Sequence, residues 1–282
     1  MIFDRNENKP VIALLGAGAM GTAIVRRIAA GKQVLLGDVS QDGLQRVAHD
    51  LAASGYDVHT QQVDALDRES VQAFAAHAAE LGEVRYFIDT AGASPNQSSP
   101  EHIVALDLVA TAMAIDVFGG VISAGGAGLI ISSQAGHMMR LSDETEQELA
   151  RTPTEELAGL EFLKKDALVS SGVAYMVSKR ANHLRVRTAA ATTWGDRGAR
   201  INTISPGVVV TPLAYDEFNA AGEGYQAMID ASPVRRVGTP DEIAAVAAFL
   251  LGEQAAFITG TDLLIDGGVI AALNSGRFSL GH

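Results

Sequence analysis

Val11-Ile12-Ala13-Leu14-Leu15-Gly16-Ala17-Gly18-Ala19-Met20-Gly21 is the stretch on which the fold turns. Its first five residues are apolar without alternation, the pattern of a parallel strand buried on both faces. They run straight into G-x-G-x-x-G, and Thr22 to Ala30 continue with apolar residues at helical spacing. Strand, glycine turn and helix in that order are the context of a dinucleotide fingerprint. Gly16, Gly18 and Gly21 permit a tight turn and close backbone approach, and the helix N-terminus faces a pyrophosphate. The next strand, Val34-Leu35-Leu36-Gly37, ends in Asp38, 22 residues after Gly16. An acidic side chain there accepts hydrogen bonds from the adenosine ribose, and a 2′-phosphate would meet a like charge, so NAD is expected over NADP. The other use for Asp38 is to cap the helix that opens near Ser40.

Beyond these elements the pattern repeats. Helices are expected over Gln41 to Ser54 and Arg68 to Leu81, and strands over Val58 to Val63, ending in Asp64-Ala65, and Val84 to Ile88, ending in Asp89-Thr90-Ala91-Gly92. Alternating strands and helices imply right-handed crossovers and a doubly wound α/β sheet with ligands at the carboxyl ends of its strands. Glu101 to Ile122 is a long, nearly all-apolar helix carrying Asp107 and Asp116, and Gly128 to Ile131 is a buried strand that delivers Ser132-Ser133. A helix running to about Trp194 follows, then a strand at Arg200 to Ile204, a loop-like and partly helical Thr211 to Ala231, a helix opened by Thr239-Pro240-Asp241-Glu242, and a last strand at Leu263 to Ile265. No linker composition interrupts the series, so residues 1–282 are read as a single domain.

A chain of 282 residues with 48% hydrophobic and 19% charged content can bury a large core. Its net charge of -12 repels nucleic acid and anionic membrane, which leaves a small molecule as the expected partner. There is no cysteine, so disulfides, thiolate metal sites and thiol catalysis are excluded. No metal is expected. The charged N-terminus lacks an apolar h-region and no apolar run is expected to span a membrane, which makes the expectation cytoplasmic.

Ala174-Tyr175-Met176-Val177-Ser178-Lys179 sets a tyrosine and a lysine four residues apart on one helical face. Lowering a phenol from about pH 10 to about 7 takes roughly 4 kcal/mol. One cation about 4 Å away at an effective dielectric near 20 supplies roughly that. The ordered set of the Gly16 loop, Asp38, Asp64-Ala65, Ala91-Gly92, Ile131-Ser132-Ser133, Tyr175-x-x-x-Lys179, Pro206-Gly207-x-x-x-Thr211 and Asp266-Gly267-Gly268 resembles the short-chain dehydrogenase/reductase family from Val11 to about Gly268.

That resemblance implies a single Rossmann-type sheet of order 3-2-1-4-5-6-7 flanked by helices, and NAD-dependent interconversion of a secondary alcohol and a ketone. It implies Tyr175 as acid and base, Lys179 as its activator and ribose ligand, and Ser133, with Ser132 as the alternative, on the substrate oxygen. Asp64 and Ala65 would meet the adenine, Ala91 and Gly92 the adenosine side, and Pro206, Gly207 and Thr211 the carboxamide. The long apolar helix and the helix after Tyr175 resemble the pair through which family members form homodimers and homotetramers.

Three departures stand out. Met20 and Thr22 occupy places where the family's glycine loop has glycine, so the loop is closer to that of other dinucleotide enzymes. Asp107 stands for the customary helix asparagine, either passing protons by way of water or pairing structurally. Asp89-Thr90-Ala91-Gly92 replaces Asn-Asn-Ala-Gly. Between Ser133 and Tyr175, residues 138–169 are mostly polar and acidic, and Thr152-Pro153-Thr154-Glu155 has the form of a capping box with proline at the first helical position. This helical insertion is expected either as a lid over the substrate, with Gln134, His137, Met138 and Met139 near the pocket, or as a surface insertion or oligomer contact. Met138-Met139 favour an apolar substrate. The competing reading is a dinucleotide-binding sensor or scaffold that has lost its chemistry.

Overall fold

The computed structural model describes residues 9–164, 168–211, 224–277 and 279. Seven parallel strands form one sheet: β1 (Val11–Leu15), β2 (Gln33–Asp38), β3 (Asp57–Gln62), β4 (Val84–Asp89), β5 (Ala127–Ile131), β6 (Arg200–Pro206) and β7 (Asp262–Ile265). Their order is β3-β2-β1-β4-β5-β6-β7, as the family resemblance implied. β1 and β5 are buried at every position, which explains the absence of alternation in their sequences.

Helices α1 (Ala19–Ile28) and α2 (Gln41–Ala53) lie on one face of the sheet, together with α7 (Pro240–Leu251) from later in the chain. The other face carries α3 (Arg68–Leu81), α4 (Pro100–Gly119) and α6 (Ser171–Ala191). Phe74, Phe87, Phe118 and Trp194 fill that second core, with Phe87 and Phe118 stacked at 3.8 Å. Both layers are needed because a two-sided apolar sheet leaves no face for water. β1 and β4 are neighbours from which the chain winds in opposite directions, so a crevice opens beyond their carboxyl ends. There Thr90 N donates to the Leu15 carbonyl at 2.8 Å.

Two local expectations need correction. The Thr152-Pro153-Thr154-Glu155 capping box does not form. α5 (Asp143–Arg151) ends at Thr152, and residues Thr154–Gly159 make a 3-10 turn without a side-chain cap. Thr152, the residue that would cap, closes α5 instead, and the neighbouring Thr154 hydroxyl donates to Asp116 Oδ2, a partner 38 residues away. Second, α4 does satisfy the length and composition of a membrane span, with a mean hydropathy of 1.7, although 67% of that window is buried inside the protein. It is apolar because it lies between the sheet and the segment after β5.

That segment has a defined seat. Leu149, Leu157, Leu163 and Leu168 pack on Ile103, Val104 and Leu108 of α4 and on Ala174, Val177, Ala181 and Leu184 of α6. Arg180 donates through Nε and Nη2 to Glu146 Oε1 at 2.8 and 2.6 Å, and buried Arg185 donates to the carbonyls of Leu149 and Thr152. Part of the apolar surface of α4 and α6 is therefore covered from within the chain, while Val104, Ala105, Val109 and Met113 of α4 still border an open cleft. Residues 165–167, and 212–223 of the stretch expected to be loop-like and helical, lie outside the described residues.

Candidate active site

Two adjoining clefts open at the carboxyl end of the sheet. The first, about 510 Å³, is lined by Gly16, Gly18, Met20, Asp38, Asp64 and Ala65, with Thr90, Ala91 and Gly92 across from them. Gly16 has φ +88°, and a Cβ there would sit 2.6 Å from Ala91 N, so the turn closes only with glycine. Gly18 is the N-cap of α1 and offers no capping side chain, which leaves the first-turn N–H groups toward the cleft. Gly21 lies behind the turn, where a Cβ would come within 2.7 Å of the Gly16 carbonyl.

Asp38 closes the far wall. Its Oδ2 accepts from Ala17 N at 2.8 Å and its Oδ1 from Ser40 N at 2.9 Å, which fixes the carboxylate at the end of β2. The cap of α2 is the Ser40 hydroxyl, on Gly43 N, so that task does not fall to the Asp38 side chain. Asp64 accepts from Leu66 N and sits exposed at the rim. No lysine or arginine lines this cleft among the described residues, and two carboxylates do. A turn that excludes Cβ atoms, helix N–H groups without a side-chain cap and an anchored aspartate fit a nicotinamide dinucleotide.

Met20 and Thr211 line this cleft and also the second, of about 410 Å³, which holds Ser133, Tyr175, Pro206 and Gly207. Apart from Gly21, all the sequence-predicted cofactor residues thus border one or the other cleft. Ser132 is buried and donates to the Lys179 carbonyl at 2.9 Å, whereas Ser133 is half-buried with its Oγ 3.1 Å from Ala135 N. Ser132 therefore braces α6, and Ser133 is the serine with a hydroxyl oriented by its own turn.

Lys179 Nζ lies 5.3 Å from the Tyr175 ring centre and 2.7 Å from Asp107 Oδ1. Both charged side chains are buried, at 5% and 0% exposure, so the pair is shielded from water. Burial alone would lower the lysine pKa, but Asp107 and Tyr175 outweigh it and hold the ammonium above its usual range. Asp107 Oδ2 also accepts from Ala93 N at 3.1 Å. The residue lies in a π-helical segment, Val104–Ala110, inside α4. Wider turns of this kind change the phase of side chains along a helix, and they are frequent at functional sites. Gly92 packs against the pair: a Cβ there would meet Asp107 Oδ1 at 2.7 Å and Lys179 Nζ at 3.5 Å.

Asp89, at the end of β4, is a second buried carboxyl beside Lys179. Burial pushes it up to about 7, while the Ala91 N–H and Lys179 pull the other way. One turn further along α6, beside His183, His137 donates to Asp262 Oδ2 at 2.7 Å. Ser205 and Thr203 hydroxyls lie 2.8 and 2.6 Å from Asp262 Oδ1. Since the single Ser205 proton goes to Asp262, His183 Nε2, 2.8 Å from Ser205 Oγ, must be the donor to that oxygen. Burial lowers His183 to about 4, in keeping with a neutral ring. Of the four residues placed near the pocket by sequence, Gln134 and Met138 line the second cleft, His137 turns to β7, and Met139 packs with α5 and α6.

Met176, Tyr225 and Met228 are lining residues that the sequence did not reveal. The last two sit on a helical stretch, 224–231, that returns over the cleft, and nothing in its composition announces that return.

A family model described as enoyl-(acyl carrier protein) reductase matches residues 16–270. The chain is 40% identical over 270 residues to "Short-chain dehydrogenase/reductase bsc3" of Alternaria brassicicola, covering 95% of this chain and 98% of that one. It is 30% identical to galactitol 2-dehydrogenase (L-tagatose-forming) of Cereibacter sphaeroides, covering 91% and 93%. The chain belongs to the short-chain dehydrogenase/reductase family. In fold, it matches a short-chain dehydrogenase/reductase from Serratia marcescens at a TM-score of 0.73, with 24% identity and coverage of 93% and 98%. Within this short-chain dehydrogenase/reductase the departures from the family pattern take definite places. Met20 stands on the wall between the clefts, Asp107 pairs with Lys179, and Thr90 Oγ1 donates to the Gly16 carbonyl at 2.6 Å. The protein is an oxidoreductase of the kind that interconverts alcohols and ketones.

Proposed function

We propose that the protein is an NAD-dependent oxidoreductase acting on a secondary alcohol or its ketone, with Tyr175 as acid and base. The observation that carries the reading is Tyr175 on the cleft wall opposite Ser133, with a buried, charged Lys179 one helical turn away. Ser133 holds the substrate oxygen. Tyr175 takes the hydroxyl proton in oxidation and returns it to the carbonyl oxygen in reduction, and Lys179 stabilises the phenolate. Asp107 holds Lys179 in register and keeps it charged. NAD, when bound, accepts or supplies the hydride. Gly16, Gly18, Gly21 and Met20 frame its pyrophosphate side, Asp38 its ribose, Asp64 and Ala65 its adenine, Ala91 and Gly92 the adenosine side, and Pro206, Gly207 and Thr211 its carboxamide. The preference for NAD over NADP rests on Asp38 and on the lack of cationic lining residues among those described.

The substrate has an apolar body, because Met138, Met176, Met228, Ala93 and Val209 form much of the wall around Ser133. The polyol named in the Cereibacter sphaeroides relative adds a second element, hydroxyl groups beside the reacting carbon. NADH formation, followed by absorbance with a panel of secondary alcohols and diols, tests the reading. Turnover with NAD at least tenfold above that with NADP is expected. Reduced cofactor from none of them would instead favour a dinucleotide-binding sensor.

A further inference from the structure

Gln134 follows Ser133 directly and opens the short 3-10 turn Gln134–His137. It lines the second cleft, yet the residue is only 6% exposed. Its Nε2 lies 3.7 Å from the thioether sulfur of Met228, and its Oε1 is buried without a hydrogen-bond partner. Ser132 and Ser94 also line the cleft, and each is engaged with backbone, Ser132 on the Lys179 carbonyl and Ser94 on Asn96 N. Among the described side-chain atoms buried in this wall, Gln134 Oε1 is the one left unpaired. A buried amide oxygen without a donor costs about 1–3 kcal/mol, so a ligand that pairs it gains discrimination of that order.

We infer that Gln134 reads a second hydroxyl group of the substrate, close to the reacting carbon. The substrate class is then a vicinal diol in the oxidising direction and an α-hydroxy ketone in the reducing one, carried on an apolar frame. Proximity follows from the chain itself, since adjacent Cα atoms are 3.8 Å apart and Ser133 holds the reacting oxygen. A hydroxyl rather than another polar group follows from its dual character. Rotation about the last side-chain torsion exchanges the amide oxygen and nitrogen, and a hydroxyl satisfies either one. The methionines around it reject a charged group and leave space for a hydrocarbon frame. A monofunctional alcohol leaves the amide unpaired, and the site discriminates against it for the same reason that buried polar groups reject substrates lacking their partner.

The inference rests on the alcohol–ketone reading of this cleft, and one matched pair of probes separates the two. With wild-type enzyme and saturating NAD, kcat/KM for 1,2-cyclohexanediol is expected to exceed that for cyclohexanol by roughly 10–100-fold. In Gln134→Leu, and in Gln134→Met should the leucine variant fold poorly, the ratio falls to within about threefold, chiefly through KM for the diol. A ratio in either folded variant equal to that of wild type would overturn the assignment. If wild type turns over neither compound, the alcohol–ketone reading is left to the wider panel of alcohols and diols, and calorimetric binding of the same pair decides the role of Gln134. Tighter diol binding in wild type that is lost in the variants supports it, and equal binding in all three refutes it.

Discussion

Lys179 is held between a phenol and a carboxylate, and the second of these changes what the first can do. The ammonium favours the Tyr175 phenolate, whereas Asp107, 2.7 Å from Lys179 Nζ, opposes it with a like charge. Replacing Asp107 by asparagine removes that opposition and keeps an acceptor for Ala93 N. In its proposed role as the base of oxidation Tyr175 must be deprotonated, so activity is expected to rise with pH through its pKa. Asp107→Asn is therefore expected to move the acid limb of the kcat/KM profile for alcohol oxidation to lower pH, by roughly one unit for a charge several ångströms away at an effective dielectric near 20. An unmoved midpoint would show that the carboxylate serves only to seat the lysine. The places of Asp38 and Tyr175 on the cleft walls were legible in the sequence because they depend on spacing along one element or between consecutive ones. The contact of Asp107 with Lys179 was not, because it joins residues 72 positions apart through a helix whose phase is altered by a π segment.

At the scale of elements, strands and helices declared themselves wherever one local pattern matched one burial pattern. β1 is apolar throughout and buried throughout, and α7 opens with the Thr239 and Glu242 capping box that its sequence spells. The same logic failed at Thr152. The residue that would cap a helix starting at Pro153 instead closes α5, its N–H donating to the Glu148 carbonyl and its own carbonyl accepting from Arg185 Nη1. The end of one helix and an arginine of α6 took the place of a cap worth about 1 kcal/mol. The insertion after β5 is accordingly bound to α4 and α6 through a core of its own, with Leu157 fully buried. Leu157→Ala is expected to lower unfolding stability by about 2–4 kcal/mol in urea titrations. A loss below about 0.5 kcal/mol would mean that this segment sits loosely on α4 and α6.

On the scale of the whole molecule, the parallel sheet places two clefts side by side at the carboxyl end of its strands, with Met20 and Thr211 on the shared wall. That arrangement followed from the order of strands and helices, which the sequence carries in its periodicity. The helical stretch 224–231 did not follow, because its place over the cleft depends on how the chain returns after β6. The cover on α4 and α6 was likewise hidden, since an apolar helix has the same composition whether its own chain or a second copy buries it. All of this serves one chemical claim, that a proton passes through Tyr175 while the first cleft holds NAD. The most direct test compares wild type with Tyr175→Phe, measuring NADH formation from an oxidised alcohol alongside the dissociation constant for NAD. In the variant kcat is expected to fall by about 10²–10⁴-fold, the usual worth of a general acid–base group, with NAD affinity within about twofold of wild type. A phenylalanine variant that retains turnover would contradict the claim.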